Sequence, residues 1–515
     1  MSRSPMIRYL FVVCTLCVLV GSVDGSLYGS EKALKSRVGG ILGAAGLSQR
    51  DVSISVLDAR GRPAIEMEPS RALKPASNLK ILTTLAGIEI LGRDYKYRTE
   101  VSAKTGMVNG KIPGDITLWS NGDPNISGRF YDGDPLALFR RWARALTKAG
   151  LREVSGDLLV DDRYFDRVRF PPTWNRANEG RPFAAEVSSL NFNDNVIEIR
   201  ILPGARGGFG RVRLVPACSA IQAAGSPRTH SGKTAITIRR SPKTNRFRIA
   251  GKIRAGSDEW YDRSSVYDPA LYFAHTLRDV WRREGVAIRG DVRRVSTAPT
   301  AKPAPGGSKG KKPQAGADDR VLLVQHSSRL SDDLSVINKD SQNLHAEVLL
   351  KSIGAKVHKK GSAEAGASAI VALLDRLGVP TESVVIVDGS GLSHSNRVST
   401  EVLSRMLHRA TQRPYFELFR ESLAVAGVDG TLEKRFRKAK VRHLKGNVFA
   451  KSGYINGVSG LSGYVQRGDT VWSFSMLFSR LPGGNASIKL VQERILAAIE
   501  DVMPGKRVQM PRDGS

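Results

Sequence analysis

The sequence PASNLK at residues 75–80 places a serine, Ser77, and a lysine, Lys80, three positions apart at the start of an apolar segment. Apolar residues recur at helical spacing through residues 79–91, and a glycine ends the pattern. Residues i and i+3 share one face of a helix, so the two side chains are predicted to be neighbours. The serine hydroxyl would then lie beside the outward-pointing N–H groups of the helix start.

A lysine next to a serine hydroxyl suits acyl transfer, in which the serine attacks a carbonyl carbon and the lysine removes the hydroxyl proton. The reference pKa of lysine is about 10.4, so a base that works near neutral pH needs a pKa lowered by roughly three units, or about 4 kcal/mol. Burial and a second cation both lower a lysine pKa. Ser77 and Lys80 are therefore the candidate nucleophile and base, against the alternative that Ser77 only caps a helix.

Two further polar groups complete such a site. The sequence SQN at residues 341–343 lies in a region of helical spacing, and KSG at residues 451–453 follows the strand-like residues 448–450. A cation and a hydroxyl on a strand suit the binding of a substrate carboxylate, and the adjacent backbone suits donation to an oxyanion. The alternatives are that Asn343 is only a buried hydrogen bonder and that Lys451 is only a solvated charge.

Each group has a second copy in the chain. Ser-x-x-Lys recurs at residues 308–311, Ser-x-Asn at residues 189–191, and a literal Lys-Thr-Gly at residues 104–106. The first copy falls in a low-complexity segment and the other two fall in the middle of the chain, away from the catalytic pattern. The motifs at residues 75–80, 341–343 and 451–453 are therefore favoured over these copies. They follow the order serine-lysine at a helix start, then serine-asparagine, then lysine-serine on a strand.

The middle of the chain, from about residue 95 to 295, differs from its flanks. Short alternating segments separated by Gly, Pro and Asn predict mostly β-structure there. Residues 297–318 are rich in Pro, Gly, Ala and Lys, which predicts a disordered basic loop. We expect the C-terminal strands and helix to pack with the N-terminal strand and helix, so that the middle is an insertion. The predicted helices are Leu79–Leu91, Leu136–Ala149, Leu271–Glu284, Leu334–Val348, Ala363–Leu377, Glu401–Ala410 and Ile488–Val502, and the predicted flanking strands are Ser53–Leu57, Asn447–Ala450, Gly460–Val465 and Val471–Phe478.

Length and charge set broad limits. The chain has 515 residues, which predicts two or three domains. Its net charge of +30 favours polyanionic surroundings such as nucleic acid, anionic lipid or acidic wall polymers. The basic residues are scattered and accompany no recognisable nucleic-acid-binding motif, so no nucleic-acid partner is predicted.

The first residues have the pattern of an export signal. Arg3 and Arg8 precede an apolar run over Tyr9–Gly21 that is too short to span a bilayer comfortably. Small residues then predict cleavage after Gly25, with an uncleaved anchor as the alternative. Cleavage would leave Cys218 as a single cysteine, which excludes an internal disulfide and predicts a buried, small apolar side chain.

Together the motifs resemble those of the class C low-molecular-mass penicillin-binding proteins, the D-Ala-D-Ala carboxypeptidase/endopeptidases. The resemblance covers nearly all of the mature chain, and the long gap between the first and second motifs is typical of that class. It implies an α/β (α+β) transpeptidase/β-lactamase-like catalytic domain, discontinuous in sequence, with inserted β-rich domains. Further matching segments are LTTLA at 82–86, LGRDY at 91–95, GDP at 122–124, GDL at 156–158, DGSGLS at 388–393 and VDGTL at 428–432.

The resemblance implies a role for each motif residue. Ser77 would be the nucleophile that is acylated by the penultimate D-Ala carbonyl, and Lys80 would be its base. Ser341 would relay a proton to the leaving D-Ala amine. Asn343 would hydrogen-bond the substrate backbone.

The third motif would hold the end of the substrate. Lys451 and Ser452 would bind the terminal carboxylate and help to tune the base. Gly453 and Tyr454 would complete the substrate-binding strand, and the backbone N–H groups of Tyr454 and Ser77 would form the oxyanion hole.

The resemblance also implies partners and location. The protein would be exported to the periplasm or cell envelope, act on peptidoglycan stem peptides, and use no metal or cofactor. β-Lactams would be covalent inhibitors because their amide resembles the D-Ala-D-Ala bond. The charge is also compatible with peripheral contact with a membrane or anionic wall polymers. The predicted division is a signal peptide at 1–25, a catalytic domain at 26–95 and 320–515, an inserted domain at 96–165 and 255–296, a nested insert at 166–254, and a basic loop at 297–319.

Two residues depart from the family pattern. Ser452 stands where the family usually has threonine, and because the hydroxyl is kept we expect activity to survive. His394 stands where relatives commonly have arginine, which leaves the preferred stem peptide undecided. The sequence does not divide carboxypeptidase from endopeptidase activity. The alternatives are a β-lactamase or D-amino-acid esterase on the same scaffold and a non-catalytic wall-binding protein, and the complete motif set argues against the last.

Overall fold

The structure is a computed structural model that describes residues 31–295 and 320–505. The predicted signal peptide at 1–25 and the predicted basic loop at 297–319 lie outside the described residues. Within the described part of the chain, no helix combines the length and the apolar character that a membrane crossing requires.

An antiparallel sheet of six strands forms the centre of the catalytic part. Its strands are β1 (Val52–Leu57), β2 (Pro63–Met67), β18 (Ala424–Val425), β19 (Val448–Ile455), β20 (Val458–Arg467) and β21 (Thr470–Phe478). Their order in the sheet is β18-β19-β20-β21-β1-β2. Val52 lies opposite Phe478 and Leu57 lies opposite Ser473, so β1 pairs with β21 along its whole length. The catalytic part is therefore discontinuous in sequence, as the sequence predicts.

Helices cover both faces of this sheet because its strand residues alternate between two apolar cores. Met476 packs with the helices at residues 31–44 and Gly484–Val502 on one face, and the next residue, Leu477, packs with the helices on the other face. The helices are α1 (31–44), α2 (Leu79–Leu91), α5 (Leu330–Asn338), α6 (Asn343–His358), α7 (Ala363–Arg376), α8 (Thr400–Thr411), α9 (Phe416–Ser422) and α10 (Gly484–Val502). Helix α2 has the predicted bounds and is almost entirely buried, which fixes the position of the residues at its start.

The inserted region has its own core, which runs from Val101 to Val324. A five-stranded sheet, in the order β16 (Val292–Arg294), β7 (Leu158–Asp161), β5 (Ile116–Ser120), β3 (Lys96–Ala103) and β17 (Val321–Arg329), packs with helices α3 (Ala137–Lys148) and α4 (Pro269–Arg283). The Phe139 ring on α3 stacks 4.7 Å from Phe192, and Cys218 is buried in the same core without a disulfide. The strands are β3 (Lys96–Ala103), β4 (Lys111–Ile112), β5 (Ile116–Ser120), β6 (Glu153–Val154), β7 (Leu158–Asp161), β8 (Val196–Leu202), β9 (Arg211–Val215), β10 (Gln222–Ala224), β11 (Arg228–His230), β12 (Ala235–Arg240), β13 (Arg246–Arg254), β14 (Trp260–Ser265), β15 (Ala287–Ile288), β16 (Val292–Arg294) and β17 (Val321–Arg329).

Two strands depart from the predicted division of the chain. The sequence places residues from 320 onward in the catalytic part, but β17 pairs with β3 and extends the sheet of the inserted region. The sequence also places residues 260–265 outside the nested insert, but β14 pairs with β8. Both strands pair with partners that are distant in sequence, and local patterning carries no information about such a partner. The remaining boundaries stay predictions.

Candidate active site

Ser77 lies in a 3₁₀ turn, Ala76–Asn78, that leads directly into α2. The Lys80 Nζ atom is 3.0 Å from the Ser77 Oγ atom, so the spacing of three residues brings the two groups together as predicted. The turn is tight: Ala76 has a φ of +48°, in the left-handed region. Gly391 packs against the Ala76 carbonyl so closely that a Cβ atom would overlap it, which explains a glycine at that position.

Lys80 is fully buried and has three hydrogen-bond partners. Its Nζ atom lies 2.7 Å from the Asn343 Oδ1 atom and 2.7 Å from the Ser390 carbonyl oxygen, in addition to the serine hydroxyl. Burial lowers the pKa of Lys80 to about 7, against the opposing charges of Glu347 and Asp388. The sequence predicts such a lowering. A neutral amine that donates to the two carbonyl oxygens keeps its lone pair for the Ser77 hydroxyl proton.

The sequence predicts one helix, Leu334–Val348, through the second motif, and this prediction is wrong. Helix α5 ends at Asn338, and α6 begins at Asn343. Ser341, between them, has a φ of +61°, which an α-helix does not admit, and the Gln342 side chain accepts a hydrogen bond from the Leu344 amide as a cap. The apolar spacing continues across the break, which is why the sequence pattern missed it. The break turns the Ser341 hydroxyl out of the helix and toward the third motif.

Lys451 lies on β19 at the centre of the site and is fully buried. Its Nζ atom is 2.9 Å from the Ser341 Oγ atom and 2.9 Å from the Ser452 carbonyl oxygen. Burial and the nearby charge of Lys80 lower the pKa of Lys451 well below its usual value. Two buried lysines therefore flank the serine hydroxyls, and the alternative of a solvated strand charge at Lys451 is wrong.

The remainder of the third motif forms the edge of the site. The Ser452 hydroxyl donates to the Thr431 Oγ1 atom, at 2.8 Å. A Cβ atom at Gly453 would lie 3.0 Å from the Ser77 amide nitrogen, so only glycine allows β19 to pack this closely on the serine turn. Tyr454 follows with 54% of its surface exposed. The structure thus brings together all eight predicted residues: Ser77, Lys80, Ser341, Asn343, Lys451, Ser452, Gly453 and Tyr454.

The second copies of the motifs lie elsewhere. Lys104, Thr105 and Gly106 are exposed residues that follow β3 in the inserted region. Ser189 and Asn191 are buried within the inserted region, where Asn191 accepts a hydrogen bond from Asn195. The copy at 308–311 lies outside the described residues.

A buried loop at residues 388–393 supports Lys80, and sequence reasoning gave it no role. Glu347 on α6 accepts hydrogen bonds from the amides of Gly389, at 2.9 Å, and Ser390, at 2.8 Å. These bonds aim the Ser390 carbonyl at the Lys80 amine. Burial and the charge of Asp388 raise the pKa of Glu347 to about 7. A glutamate inside the apolar run of α6 was the available signal for this buried role.

The inserted region also reaches the site. The Asn343 Nδ2 atom donates to the Phe183 carbonyl oxygen, at 2.7 Å, so one asparagine side chain contacts both Lys80 and the insert. The Trp174 Nε1 atom donates to the Asp388 carboxylate, at 2.9 Å. The inserted region therefore holds Asn343 and Asp388 of the catalytic part in position through hydrogen bonds.

A buried ionic network holds the Ser341 loop against the insert. His345 on α6 lies 2.6 Å from Asp333 and 3.4 Å from Asp194. Although burial opposes the charge, hydrogen bonds to these carboxylates raise the pKa of His345 to about 9. Asp194 also accepts from Arg129, at 2.9 Å, and from Gln342, at 3.1 Å. Asp194 is therefore the acceptor that joins both regions beside the second motif.

The Asp194→Ala variant is expected to lose about 3 kcal/mol of unfolding free energy, because it removes a carboxylate that pairs with the fully buried His345 and with the partly exposed Arg129. Asp340 is a matched control, since it pairs with the same Arg129 at 2.6 Å but is nearly half exposed. The Asp340→Ala variant is expected to lose less than about 1 kcal/mol. Urea denaturation measures both values. Equal, small losses would contradict a structural role for the network.

One group of potential metal ligands occurs among the described residues. Ligand atoms of His443, Glu500 and Asp501 lie within 4.8 Å of one another at the end of α10. Arg37 pairs with Asp501 at 2.6 Å, and Arg467 lies 3.7 Å from Glu500. Guanidinium groups thus already supply cations to these carboxylates, and none of the three residues belongs to the predicted motifs.

The comparison with protein families decides the assignment of the chain. The model of the family described as D-Ala-D-Ala carboxypeptidase 3 (S13) matches residues 37–497. The chain belongs to this family. It is therefore a carboxypeptidase of the S13 serine peptidases, a group of DD-peptidases, and the predicted resemblance is confirmed.

Relatives of this S13 peptidase agree with the assignment. The D-alanyl-D-alanine carboxypeptidase of Actinomadura sp. (strain R39) is 31% identical, over 86% of this chain and 80% of that protein. The D-alanyl-D-alanine carboxypeptidase DacB of Haemophilus influenzae is 24% identical, over 77% of this chain and 78% of that protein.

A solved structure shows the same fold. The crystal structure of penicillin binding protein 4 (dacB) from Haemophilus influenzae superposes with a TM-score of 0.72 at 20% identity, over 87% of this chain and 96% of that chain. A structure of the same protein complexed with a β-lactam superposes with a TM-score of 0.65 at 21% identity, over 87% and 95% of the two chains. The predicted fold class of the S13 peptidase is confirmed.

Proposed function

We propose that Ser77 is the nucleophile of this DD-peptidase and that Lys80 is its general base. The contact of 3.0 Å between the hydroxyl and an amine whose pKa is about 7 is the observation that carries the proposal. The neutral amine takes the hydroxyl proton as Ser77 Oγ bonds to the carbonyl carbon of the penultimate D-Ala. The carbonyl oxygen becomes an oxyanion, which the backbone amides of Ser77 and Tyr454 would stabilise.

The second and third motifs would complete the reaction. Ser341, hydrogen-bonded to Lys451, would relay to the leaving amine nitrogen the proton that Lys80 took from Ser77, so that as the C–N bond breaks Lys80 becomes neutral again and Ser341 keeps a hydroxyl. The products of this step are the free amine and an ester on Ser77, which water hydrolyses to a carboxylic acid and the free serine. Asn343 holds the substrate backbone. Lys451 and the Ser452 hydroxyl would hold the terminal carboxylate, because the charge of a bound carboxylate favours the protonated form of the Lys451 amine and a cation beside a hydroxyl binds an anion strongly.

We also propose that β-lactams acylate Ser77 and remain attached for long periods. The described residues that line the cavity around Ser77 include no carboxylate, so the cavity offers no acidic side chain to activate water against the ester. Glu347 and Asp388 lie buried behind Lys80 and are engaged with backbone amides. This arrangement favours a penicillin-inhibited peptidase over the alternative of a β-lactamase.

Export to the periplasm or cell envelope, with peptidoglycan stem peptides as substrates, is part of the proposal. It rests on the signal-like pattern of residues 1–25 and on the family. Peripheral contact with a membrane or anionic wall polymers stays a prediction from the net charge.

We also propose endopeptidase activity, the cleavage of crosslinked stem peptides. A direct assay separates it from carboxypeptidase activity. The purified protein is incubated with a pentapeptide that ends in D-Ala-D-Ala and, separately, with a crosslinked stem-peptide dimer. We expect chromatography to show release of D-Ala from the first substrate and conversion of the second to monomers. Cleavage of the pentapeptide alone would restrict the protein to carboxypeptidase activity. Cleavage of neither, in folded protein, would contradict the proposed function.

A further inference from the structure

The cavity around Ser77 extends beyond the residues of the three motifs. It has a volume of about 340 Å³ and is bounded on one side by Ser341 and Ser452 and on the other by helix α10. The α10 residues are Asn485, Lys489 and Gln492, which are spaced along one face of the helix. One wall of the cavity is therefore a helix from the C-terminal end of the chain, to which neither the motifs nor the reaction steps assign a role.

A second cavity continues the first. It has a volume of about 450 Å³ and shares Thr431, Arg435 and Lys489 with the cavity around Ser77. It runs between residues 430–435 and the first turns of α10. We name the combined channel the α10 groove, defined by Thr431, Arg435, Asn485, Lys489 and Gln492. Its volume is far larger than one alanine residue needs.

The α10 groove begins at the leaving-group side of the site. Thr431 forms its near edge and hydrogen-bonds to Ser452, the residue that would hold the substrate carboxylate. A leaving group that extends past this carboxylate would lie at the entrance to the groove. The groove therefore receives the part of the substrate that departs as the amine, and not the part that stays on Ser77.

The charges of the groove favour an anion. Arg435 is matched by Glu493, at 3.0 Å, and both side chains are buried. Lys489 differs, since its ammonium forms no ion pair within the described part of the chain and is partly exposed to the groove. The second cavity is also lined by Glu433 and Lys434, which are exposed and of opposite sign, so Lys489 gives the lining an excess of one positive charge. An unpaired ammonium in the wall of a cavity attracts a carboxylate.

We propose that the α10 groove is a subsite for the leaving strand of a crosslinked stem peptide, and that Lys489 selects that strand by binding one of its carboxylates. The proposal rests on the proposed function. The reaction is unchanged: Ser77 Oγ bonds to the D-Ala carbonyl carbon, the amide C–N bond breaks, and the nitrogen takes a proton. The leaving amine belongs to the diamino acid of a second peptide, which carries further carboxylates, and not to free D-alanine.

The test compares two substrates in the full-length protein and three variants. For each protein, kcat/KM is measured for a crosslinked dimer and for the D-Ala-D-Ala pentapeptide, and their ratio gives the selectivity. The Lys489→Gln variant is expected to lower the ratio about tenfold, mainly through KM for the dimer, because one charge-assisted hydrogen bond is lost. Lys489→Arg is expected to restore most of it. Arg494→Gln removes a charge from an exposed position of the same helix, outside the groove, and is expected to leave the ratio unchanged.

A dimer in which the carboxylates of the leaving strand are amidated is the second probe. We expect the wild-type protein to discriminate against it about as strongly as Lys489→Gln discriminates against the natural dimer. The groove assignment is overturned if the dimer-to-pentapeptide ratio of kcat/KM in Lys489→Gln stays within twofold of the wild-type ratio. It is also overturned if the wild-type protein cleaves only the pentapeptide. Failure of the proposed function is distinguishable, because it would abolish pentapeptide cleavage and penicillin acylation in the wild type as well.

Discussion

The Ser77→Ala variant is expected to keep its fold and to lose about 10⁴-fold or more of its peptidase turnover, because it has no atom to form the acyl-enzyme. The Ser77 hydroxyl contacts only the Lys80 amine among its described side-chain partners. Lys80 keeps its bonds to Asn343 and Ser390 when the hydroxyl is removed. The measurement is release of D-Ala from a pentapeptide, with thermal unfolding to show that the variant is folded.

A matched control is Ser308→Ala. Ser308 repeats the serine-lysine spacing with Lys311 but belongs to the low-complexity segment. We expect this variant to retain wild-type turnover. A folded Ser77→Ala protein that retains turnover, or a large loss in Ser308→Ala, would show that the nucleophile is assigned to the wrong serine.

Loss of the base is expected to have the second-largest effect. The Lys80→Met variant should react with a fluorescent penicillin about 10³-fold more slowly, which is within the usual contribution of general base catalysis. In the wild type the amine is neutral above its pKa of about 7 and cationic below it, because burial lowers that pKa. The acylation rate should therefore rise about tenfold per pH unit up to about pH 7 and then level off.

The pH profile separates a base from a merely structural lysine. Lys80→Met should be slow at every pH and should lose the inflection, and Lys80→Arg should also be slow because a guanidinium stays protonated. Thermal unfolding of each variant controls for loss of fold. A wild-type acylation rate that is flat across about pH 5 to pH 9, or rapid acylation of folded Lys80→Met, would contradict the assignment.

The sequence predicts those elements of the catalytic part whose structure follows from the local spacing of apolar and polar residues. Helix α2 has the predicted bounds, strands β20 and β21 include their predicted segments, and β19 includes all of its predicted segment except Asn447. The serine-lysine pair is a local feature of one helix start, so its geometry follows from spacing alone. The copies at 104–106 and 189–191 were set aside because they lie in the predicted insertion, away from the catalytic pattern.

Other features depend on contacts that no local pattern contains. The break at Ser341 interrupts an apolar spacing that is continuous in sequence, and backbone strain of this kind leaves no compositional trace. That Lys451 helps to tune Lys80 stays a prediction. Burial is the principal cause that lowers the pKa of Lys80, whereas the charge of Lys80 contributes to the lowered pKa of Lys451. Burial of both side chains is a tertiary property.

The contacts of the inserted region with the active site could not be predicted from the sequence either. Phe183 acts through its backbone carbonyl, which any residue possesses, so its identity carried no signal. Asp194 lies in a run of three residues with left-handed φ values, Asn193 to Asn195, and asparagine and aspartate are the side chains that tolerate this conformation. That composition indicates a tight turn, but only the fold shows that the turn faces His345.

Mass spectrometry of the intact protein after incubation with benzylpenicillin, followed by peptide mapping, tests the central claim most directly. The account predicts one covalent adduct per chain, located on the peptide that contains Ser77. An adduct on another residue, or the absence of an adduct in protein shown to be folded, would contradict the claim that Ser77 and Lys80 form the acylating pair.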